Sequence, residues 1–361
     1  MTSRPESPNQ QSVGTAVDGF STSARGREIR LHSRPTGAAT HDNFELVEVD
    51  VPTPGPRQVL VRNTWMSVDP YMRGRMDDAE SYIPPFTLGA ALDGGAIGEV
   101  IASEASAIPV GTMVSHFAGW RTHAVLDAAA VIPIDTEVVA PEDYLGVLGT
   151  TGLTAYIALT ETAPVREGDV VFVSAAAGAV GSVAGQIAKL LGASRVIGSA
   201  GGPVKARRVV EEFGYDAAID YTAGDIAGQL AAHAPGGIDV YVDHVGGDHL
   251  EAAVGALRVN GRAALVGAIS GYNTTEPVPG PSNLYRVIVN RLSLRGMIVS
   301  DHLHRFADYI PRATAWLADG SLRTESTVVN GLDNAPEAFL SLFRGANTGK
   351  LLVRLDESPA N

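Results

Sequence analysis

Strand-like and helix-like segments alternate from about residue 143 onward, and this alternation constrains the fold more than any other feature of the sequence. Six short runs of β-forming residues are predicted as strands, at 170–174, 195–199, 217–220, 240–243, 263–266 and 292–298. Helix-like segments separate the first five, at 180–191, 205–213, 226–233 and 249–257. Repeated units of this kind predict a parallel sheet with helices on both faces. Six such strands match the doubly wound dinucleotide-binding fold.

The segment before this alternation has a different pattern. Short runs at 45–49, 59–62, 98–101, 110–114 and 123–126 are broken by Pro- and Gly-rich turns, which predicts an antiparallel β domain. A run at 351–355 predicts a closing strand, so the chain is expected to return to its first domain. The predicted organisation is a flexible tail at 1–25, a β domain at 26–140, a nucleotide-binding domain at 141–317 and a return segment at 318–361.

Composition excludes several classes of function. The 40 acidic and 27 basic residues give a net charge of −13, which repels nucleic-acid phosphates, and no basic patch offsets it. The chain has no cysteine, so disulfides, thiolate zinc sites and a cysteine nucleophile are impossible. His302 and His304 lack the further ligands of a catalytic zinc site, and no metal is expected.

Neither secretion nor a membrane location is expected from the apolar segments. The first 25 residues contain no apolar run typical of a signal peptide, and a cytoplasmic location is therefore expected. The uncharged stretch at 170–188 is better explained by a strand, a turn and a helix than by a membrane span.

A glycine- and alanine-rich loop follows the first predicted strand of the parallel sheet. Ala175, Gly178 and Gly181 form an A-x-x-G-x-x-G pattern, which lacks the first glycine of the usual G-x-G-x-x-G. Small residues here let the backbone approach a pyrophosphate at the positive end of a helix. Close helix–sheet packing is the alternative use of such residues. The position after the first of six strands favours cofactor binding through Gly178, Ala179, Val180 and Gly181.

The end of the second predicted strand indicates which dinucleotide is bound. An NAD site places a carboxylate there for the ribose 2′-hydroxyl, but residues 198–208 contain no acid. Lys205, Arg207 and Arg208 stand there instead, and Lys205 is predicted to bond a 2′-phosphate. A solvated basic helix face is the alternative. The missing acid favours NADP(H).

Two tyrosines are candidates for contact with a substrate. Tyr272 follows the fifth strand, at the end where doubly wound sheets bind ligands, and its hydroxyl could donate to a carbonyl oxygen that becomes an enolate. The alternative is a loop tyrosine with its hydroxyl in water. Tyr71 is the second candidate, although its segment could be structural, with Arg73 or Arg75 paired with carboxylates.

Ordered motifs across residues 27–355 resemble the zinc-independent medium-chain dehydrogenases/reductases, in particular the prostaglandin, curcumin and alkenal double-bond reductase branch. The motifs are VDPYMRGRM at 68–76, PFTLG at 85–89, GLTAY at 152–156, the segment 175–187, VGG at 245–247, GAISGYN at 267–273 and NTGK at 347–350. The resemblance implies a GroES-like antiparallel β domain split around a Rossmann doubly wound parallel sheet, in an α/β protein that forms a homodimer.

The resemblance also implies NADPH-dependent reduction of α,β-unsaturated carbonyls, with hydride delivered to the β-carbon and Tyr272 beside the carbonyl. It places Lys205 and Tyr221 near the 2′-phosphate and Asn347 near the nicotinamide. Further residues expected at the cofactor are Gly201, Val245, Gly246, Ile269 and Tyr272. A zinc-free quinone reductase is the alternative enzyme, and a non-catalytic NADPH-binding protein is the alternative from another class.

Overall fold

The computed structural model describes residues 25–137 and 139–355 of the 361-residue chain. The predicted tail at 1–25 lies outside the described residues, apart from Arg25. The described residues form an antiparallel β part and a parallel α/β part, which confirms the predicted fold class.

The first part of the chain is built from antiparallel strands. These are β1 (Arg25–Leu31), β2 (Phe44–Asp50), β3 (Gln58–Ser67), β4 (Ala96–Ser103), β5 (Met113–His116), β6 (His123–Asp127) and β7 (Ile132–Pro133), with one short helix α1 (Met72–Arg75). β1 pairs with β2, and β3 pairs with both β4 and β6. The β3–β4 register shifts near Gly98, where a Cβ would lie only 2.5 Å from the carbonyl oxygen of Arg62. The shift is a β-bulge, and glycine at 98 permits the close approach of the two backbones.

The second part alternates helices and strands. They are α2 (Thr150–Ile157), β8 (Val170–Val173), α3 (Ala179–Leu190), β9 (Arg195–Ala200), α4 (Pro203–Glu211), β10 (Ala217–Asp220), α5 (Ile226–His233), β11 (Ile238–Asp243), α6 (Gly247–Ala256), β12 (Leu257–Leu265), α7 (Tyr285–Val289), β13 (Ser293–Gly296) and α8 (Phe306–Ala318). The strands pair in parallel in the order β10-β9-β8-β11-β12-β13. This is the strand order of the doubly wound fold, with its reversal between β8 and β11.

Helices pack on both faces of this sheet because its central strands are apolar on both sides. In β8, Val171 and Val173 face a core shared with α2, α3 and α8, whereas Phe172 faces the core on the other side. All three side chains are fully buried. A near-continuous apolar run is typical of a strand buried on both faces.

The last described segment returns to the antiparallel sheet. It contains β14 (Ser326–Asn330), α9 (Ala335–Leu342) and β15 (Lys350–Arg354). β15 pairs in parallel with β14 and antiparallel with β3, where Val353 lies opposite Met66. Across residues 25–137 and 139–355, we find no helix with the length and apolar character needed to span a membrane.

Candidate active site

Three loops meet where the strand order of the parallel sheet reverses. They follow the carboxyl ends of β8, β11 and β12, the end at which open α/β sheets bind ligands. The amide of His244 donates to the Oγ of Ser174 at 2.8 Å, and the amide of Ile269 donates to the carbonyl of His244 at 3.2 Å. These bonds join the first loop to the second and the second to the third.

A buried carboxylate holds the loop after β11 in shape. Asp243 is 2% exposed, and its Oδ1 accepts bonds from the amides of Val245 and Gly246 at 3.0 and 2.9 Å. The hydroxyl of Tyr241 donates to the same oxygen at 2.7 Å. Gly246 has a φ of +72°, a conformation that favours glycine. Val245 and Gly246 are thereby fixed beside the crevice where these three loops meet.

The loop after β8 leads directly into the first turn of α3. Gly178 is the N-cap, and no side chain among the described residues caps this helix. The amides of the first turn therefore face the crevice end of the helix without a side-chain acceptor, which suits an anionic ligand. A Cβ on Gly181 would lie 2.3 Å from the carbonyl oxygen of Ala175, so only glycine fits. Ala175 itself has a φ of +49°, a conformation that favours glycine.

These features fit a dinucleotide pyrophosphate. The glycines keep the backbone close to the ligand, and the amides of Ala179, Val180 and Gly181 can supply donors. The loop also contacts the return segment, because the amide of Gly349 donates to the carbonyl of Ala177 at 2.8 Å.

Lys205 lies in the first turn of α4, directly after the second strand of the parallel sheet. Its ammonium group donates to the backbone carbonyls of Gly345 and Asn347, so it connects the parallel domain to the return segment. Partial burial, and then the nearby Arg208, lowers the pKa of Lys205. Arg208 is paired with Glu212 at 2.8 Å and with Glu325 at 3.1 Å. Arg207 is exposed and Arg208 is paired with carboxylates, whereas the ammonium group of Lys205 bonds backbone carbonyls of the return segment.

The turn after β9 is shaped by Tyr221 and Asp220. Tyr221 is 41% exposed, and its hydroxyl oxygen would lie 2.7 Å from a Cβ on Gly201. Asp220 Oδ1 accepts bonds from the amides of Gly202 and Thr222 at 2.8 and 2.9 Å. The Thr222 hydroxyl donates to the same oxygen at 2.6 Å. This bond is the largest cause of the lowered pKa of Asp220, and the two amide bonds add to it. Sequence spacing does not reveal this carboxylate, because Asp220 ends the third strand and approaches the second only through strand pairing.

Asn347 is buried in the loop before β15. Its Nδ2 donates to the carbonyl of Gly349 at 2.9 Å. Gly349 has a φ of +64°, and a Cβ there would lie 1.9 Å from the carbonyl oxygen of Glu325. The loop conformation that places Asn347 next to the phosphate loop therefore requires glycine at 349.

Tyr272 lies in the loop after β12. Its hydroxyl oxygen accepts a bond from the amide of Ala268 at 3.2 Å, which leaves the hydroxyl proton available for donation. The tyrosine lines a cavity of about 510 Å³ between this loop and the β domain. The other lining residues are Pro35, Thr36, Gly37, Arg73, Gly74, Asp77, Gly271, Thr274 and Thr275.

Two further tyrosines lie on the β-domain side of the cleft. Tyr71 packs against the β-domain core, and burial, followed by the nearby Asp69, raises the pKa of Tyr71. Tyr82 was not singled out from the sequence. Partial burial, and then the neighbouring Tyr272, raises the pKa of Tyr82. Tyr82 in turn is one of the smaller causes of the raised pKa of Tyr71. Tyr82 is thus an electrostatic neighbour of both predicted tyrosines, a relation that sequence spacing could not reveal.

Ion pairs fix the segment around Tyr71. Arg73 bonds Asp77 at 2.8 Å, and Arg75 bonds Asp93 while its guanidinium lies 4.0 Å from the centre of the Phe86 ring. Both arginines are buried and paired with carboxylates, which agrees with the structural alternative for this segment.

Metal-ligating side chains are dispersed in the part of the chain that the structure describes. Within it, no group of three or more His, Cys, Asp or Glu side chains could hold a metal ion. The Nδ1 of His302 lies instead 3.5 Å from a carboxylate oxygen of Glu161.

Comparisons with known proteins identify the family. Residues 27–134 match a model described as the N-terminal domain of oxidoreductase, and residues 179–317 match one described as zinc-binding dehydrogenase. The chain is 38% identical over 336 residues to the NADPH-dependent curcumin reductase of Escherichia coli (strain K12), across 92% of this chain and 97% of that protein. The chain belongs to the zinc-independent branch of the medium-chain dehydrogenase/reductase family. Although the second model is described as zinc-binding, this chain cannot supply thiolate ligands to a zinc ion, since the sequence lacks cysteine.

Two further members of the family are close in sequence or structure. The 2-alkenal reductase (NADP(+)-dependent) of Nicotiana tabacum is 34% identical, over 91% of this chain and 96% of that protein. The crystal structure of CurA from Vibrio vulnificus in complex with NADPH superposes with a TM-score of 0.88, at 39% identity, and covers 92% of this chain and 99% of CurA.

Proposed function

We propose that this chain is an NADPH-dependent reductase of the C=C bond in α,β-unsaturated ketones and aldehydes. The observation that carries the proposal is the position of Tyr272, which follows the carboxyl end of β12 and lines a cavity between its loop and the β domain. The relatives named for curcumin and 2-alkenal reduction, and the CurA complex with NADPH, support this reaction class.

The residues proposed to hold the cofactor extend along the crevice. The first-turn amides of α3 at Ala179, Val180 and Gly181 would bind the pyrophosphate, next to Gly178. Lys205 and Tyr221 would bind the 2′-phosphate beside Gly201. The resemblance places Asn347 toward the nicotinamide, but its backbone carbonyl accepts a bond from Lys205, so Asn347 would meet the cofactor nearer its phosphates. Val245, Gly246 and Ile269 would line the crevice beyond the phosphate loop. When bound, the cofactor supplies a hydride to the β-carbon of the substrate.

The protein's own contribution is orientation and charge stabilisation. Reacting atoms need to approach within about 3–3.5 Å, which the cleft between the two domains would impose on the substrate. The Tyr272 hydroxyl would donate to the substrate carbonyl oxygen as negative charge develops there. Its bond from the Ala268 amide polarises the hydroxyl and fixes its direction. Tyr71 would contact the substrate from the β-domain side, and solvent would protonate the α-carbon.

The proposal is tested by NADPH consumption over a panel of one alkenone, one alkenal and one quinone, with NADH as the comparator and the products identified. We expect saturated carbonyl products and a preference for NADPH. Turnover of the quinone alone, with the alkenes left unreduced, would favour a quinone reductase. Cofactor binding without any turnover would favour a non-catalytic protein.

The variant Tyr272→Phe tests the role of the hydroxyl. Loss of one donor to a developing oxyanion costs about 3 kcal/mol of barrier, so kcat for the alkenone should fall roughly a hundredfold while NADPH binding is retained. Tyr285→Phe is the matched control, because Tyr285 is 74% exposed on α7. An unchanged rate in Tyr272→Phe would contradict the assigned role. The homodimer implied by the resemblance and the cytoplasmic location expected from the N-terminal sequence stay predictions.

A further inference from the structure

A buried histidine packs against the ring of Tyr221 and is not among the predicted site residues. His249, in α6, is 5% exposed, and its Nε2 lies 2.8 Å from the Oγ of Ser199. Ser199 is fully buried in β9, one residue before the strand ends. The rings of His249 and Tyr221 pack in a T-shaped arrangement, with centroids 5.3 Å apart and planes inclined by 73°. His249 therefore connects a fixed point in the sheet to a partly exposed tyrosine.

The Tyr221 hydroxyl has little freedom on its other side. Tyr221 begins a short 3-10 turn after β10, and its hydroxyl oxygen would lie 2.7 Å from a Cβ on Gly201. The ring is thus confined between the Gly201 turn and the imidazole of His249. A side chain that is 41% exposed would otherwise sample several rotamers. The hydroxyl therefore packs against the turn at Gly201, which leads into the helix that carries Lys205.

We propose that His249 is a positioning residue, which holds Tyr221 in the orientation that lets its hydroxyl bond the 2′-phosphate of the cofactor. His249 would thereby contribute to the preference for a 2′-phosphorylated dinucleotide without touching it. This inference rests on the proposed function, because it takes Lys205 and Tyr221 as the 2′-phosphate site.

The charge state of His249 agrees with an indirect role. Burial lowers the pKa of His249, so its ring is neutral near pH 7 and supplies no cation to the phosphate. A neutral imidazole has one donor and one acceptor nitrogen, and the Ser199 hydroxyl can complement either at Nε2. What His249 offers the site is therefore a fixed surface for Tyr221.

The test uses two adenosine ligands that differ only in the 2′-phosphate, namely adenosine 2′,5′-bisphosphate and adenosine 5′-monophosphate, titrated calorimetrically into the full chain. In His249→Leu, affinity for the bisphosphate should fall about fivefold to tenfold, the size expected for loss of one oriented aromatic contact. Affinity for the monophosphate should stay within about twofold of the wild-type value, since the pyrophosphate loop is unchanged. His32→Leu, an exposed site in the β domain, is the matched control.

Two more variants separate positioning from general packing. Ser199→Ala removes the anchor and keeps the imidazole, so it should lower bisphosphate affinity in the same direction, and it serves if His249→Leu does not fold. His249→Leu combined with Tyr221→Phe should bind the bisphosphate no more weakly than Tyr221→Phe alone, because both act through one hydroxyl.

Equal weakening of both ligands, an unchanged bisphosphate affinity in both His249→Leu and Ser199→Ala, or additive effects in the double variant would overturn the inference. Wild-type protein that binds the two ligands equally would overturn the proposed 2′-phosphate site itself, and the inference with it.

Discussion

Replacing Gly181 with alanine tests the pyrophosphate loop with a single methyl group. A Cβ there would lie 2.3 Å from the carbonyl oxygen of Ala175 and 2.7 Å from the Cα of Ala176, and both are backbone atoms. Non-bonded heavy atoms pack at about 3.5 Å, so the loop or the helix has to move by roughly 1 Å. Overpacking of this kind costs about 1–3 kcal/mol of unfolding free energy, from a total of about 5–15 kcal/mol. The variant should therefore fold, with its phosphate loop displaced.

The displacement should weaken cofactor binding more than it weakens folding. A shift of about 1 Å in a positioning element can cost a hundredfold in activity, and we expect at least a tenfold rise in the Kd for NADPH. Fluorescence titration with NADPH measures the affinity, and urea unfolding measures stability. Gly255→Ala is the matched control, because its Cβ would make an ordinary 3.5 Å contact with Asn283 Nδ2. Wild-type NADPH affinity in Gly181→Ala would refute the assignment of this loop.

Three further predictions concern single side chains. Lys205→Met should raise the Kd for NADPH about 10- to 100-fold and leave that for NADH nearly unchanged in parallel titrations, because one charge-assisted bond to the 2′-phosphate is lost; equal losses for both would contradict the assigned role. Ala175→Gly should raise the free energy of urea unfolding by up to about 1 kcal/mol, because Ala175 has a φ of +49°; a decrease would argue against strain there. Burial, and then Arg121, lowers the pKa of His116 to about 4 from an ordinary 6.5. The unfolded chain therefore binds the proton more readily between these values, so the free energy of unfolding should fall as the pH drops from about 6.5 to 4. His116→Gln should make that fall shallower in urea titrations across this range, and an unchanged slope would contradict the shift.

Periodicity predicted the parallel sheet because its strands are short apolar runs with clear ends. The bounds predicted for α5 and β10 agree with the structure, at Ile226–His233 and Ala217–Asp220. The predicted start of β12 at 263 is wrong, since the strand begins at Leu257. The Asn-Gly pair at 260–261 is a strong turn signal, but Asn260 adopts a φ of +63° inside the strand, and its amide bonds the carbonyl of Asn290 at 2.7 Å.

The site was predictable only where it is local in sequence. The phosphate loop and Lys205 follow directly from predicted strands, and their motifs could be located without a structure. The contacts of Lys205 with Asn347 and of Ser199 with His249 join residues 142 and 50 positions apart, and no spacing rule connects them. The same holds for Tyr82, which approaches Tyr272 only because the two domains face each other across the cleft.

Isotope transfer tests the central claim most directly. An alkenone is incubated with the enzyme and NADPH that carries deuterium at the transferable position of the nicotinamide, and the product is analysed by NMR. The account predicts a saturated ketone with deuterium at its β-carbon. Deuterium at the carbonyl carbon of an allylic alcohol, or no transfer to the alkenone at all, would contradict it.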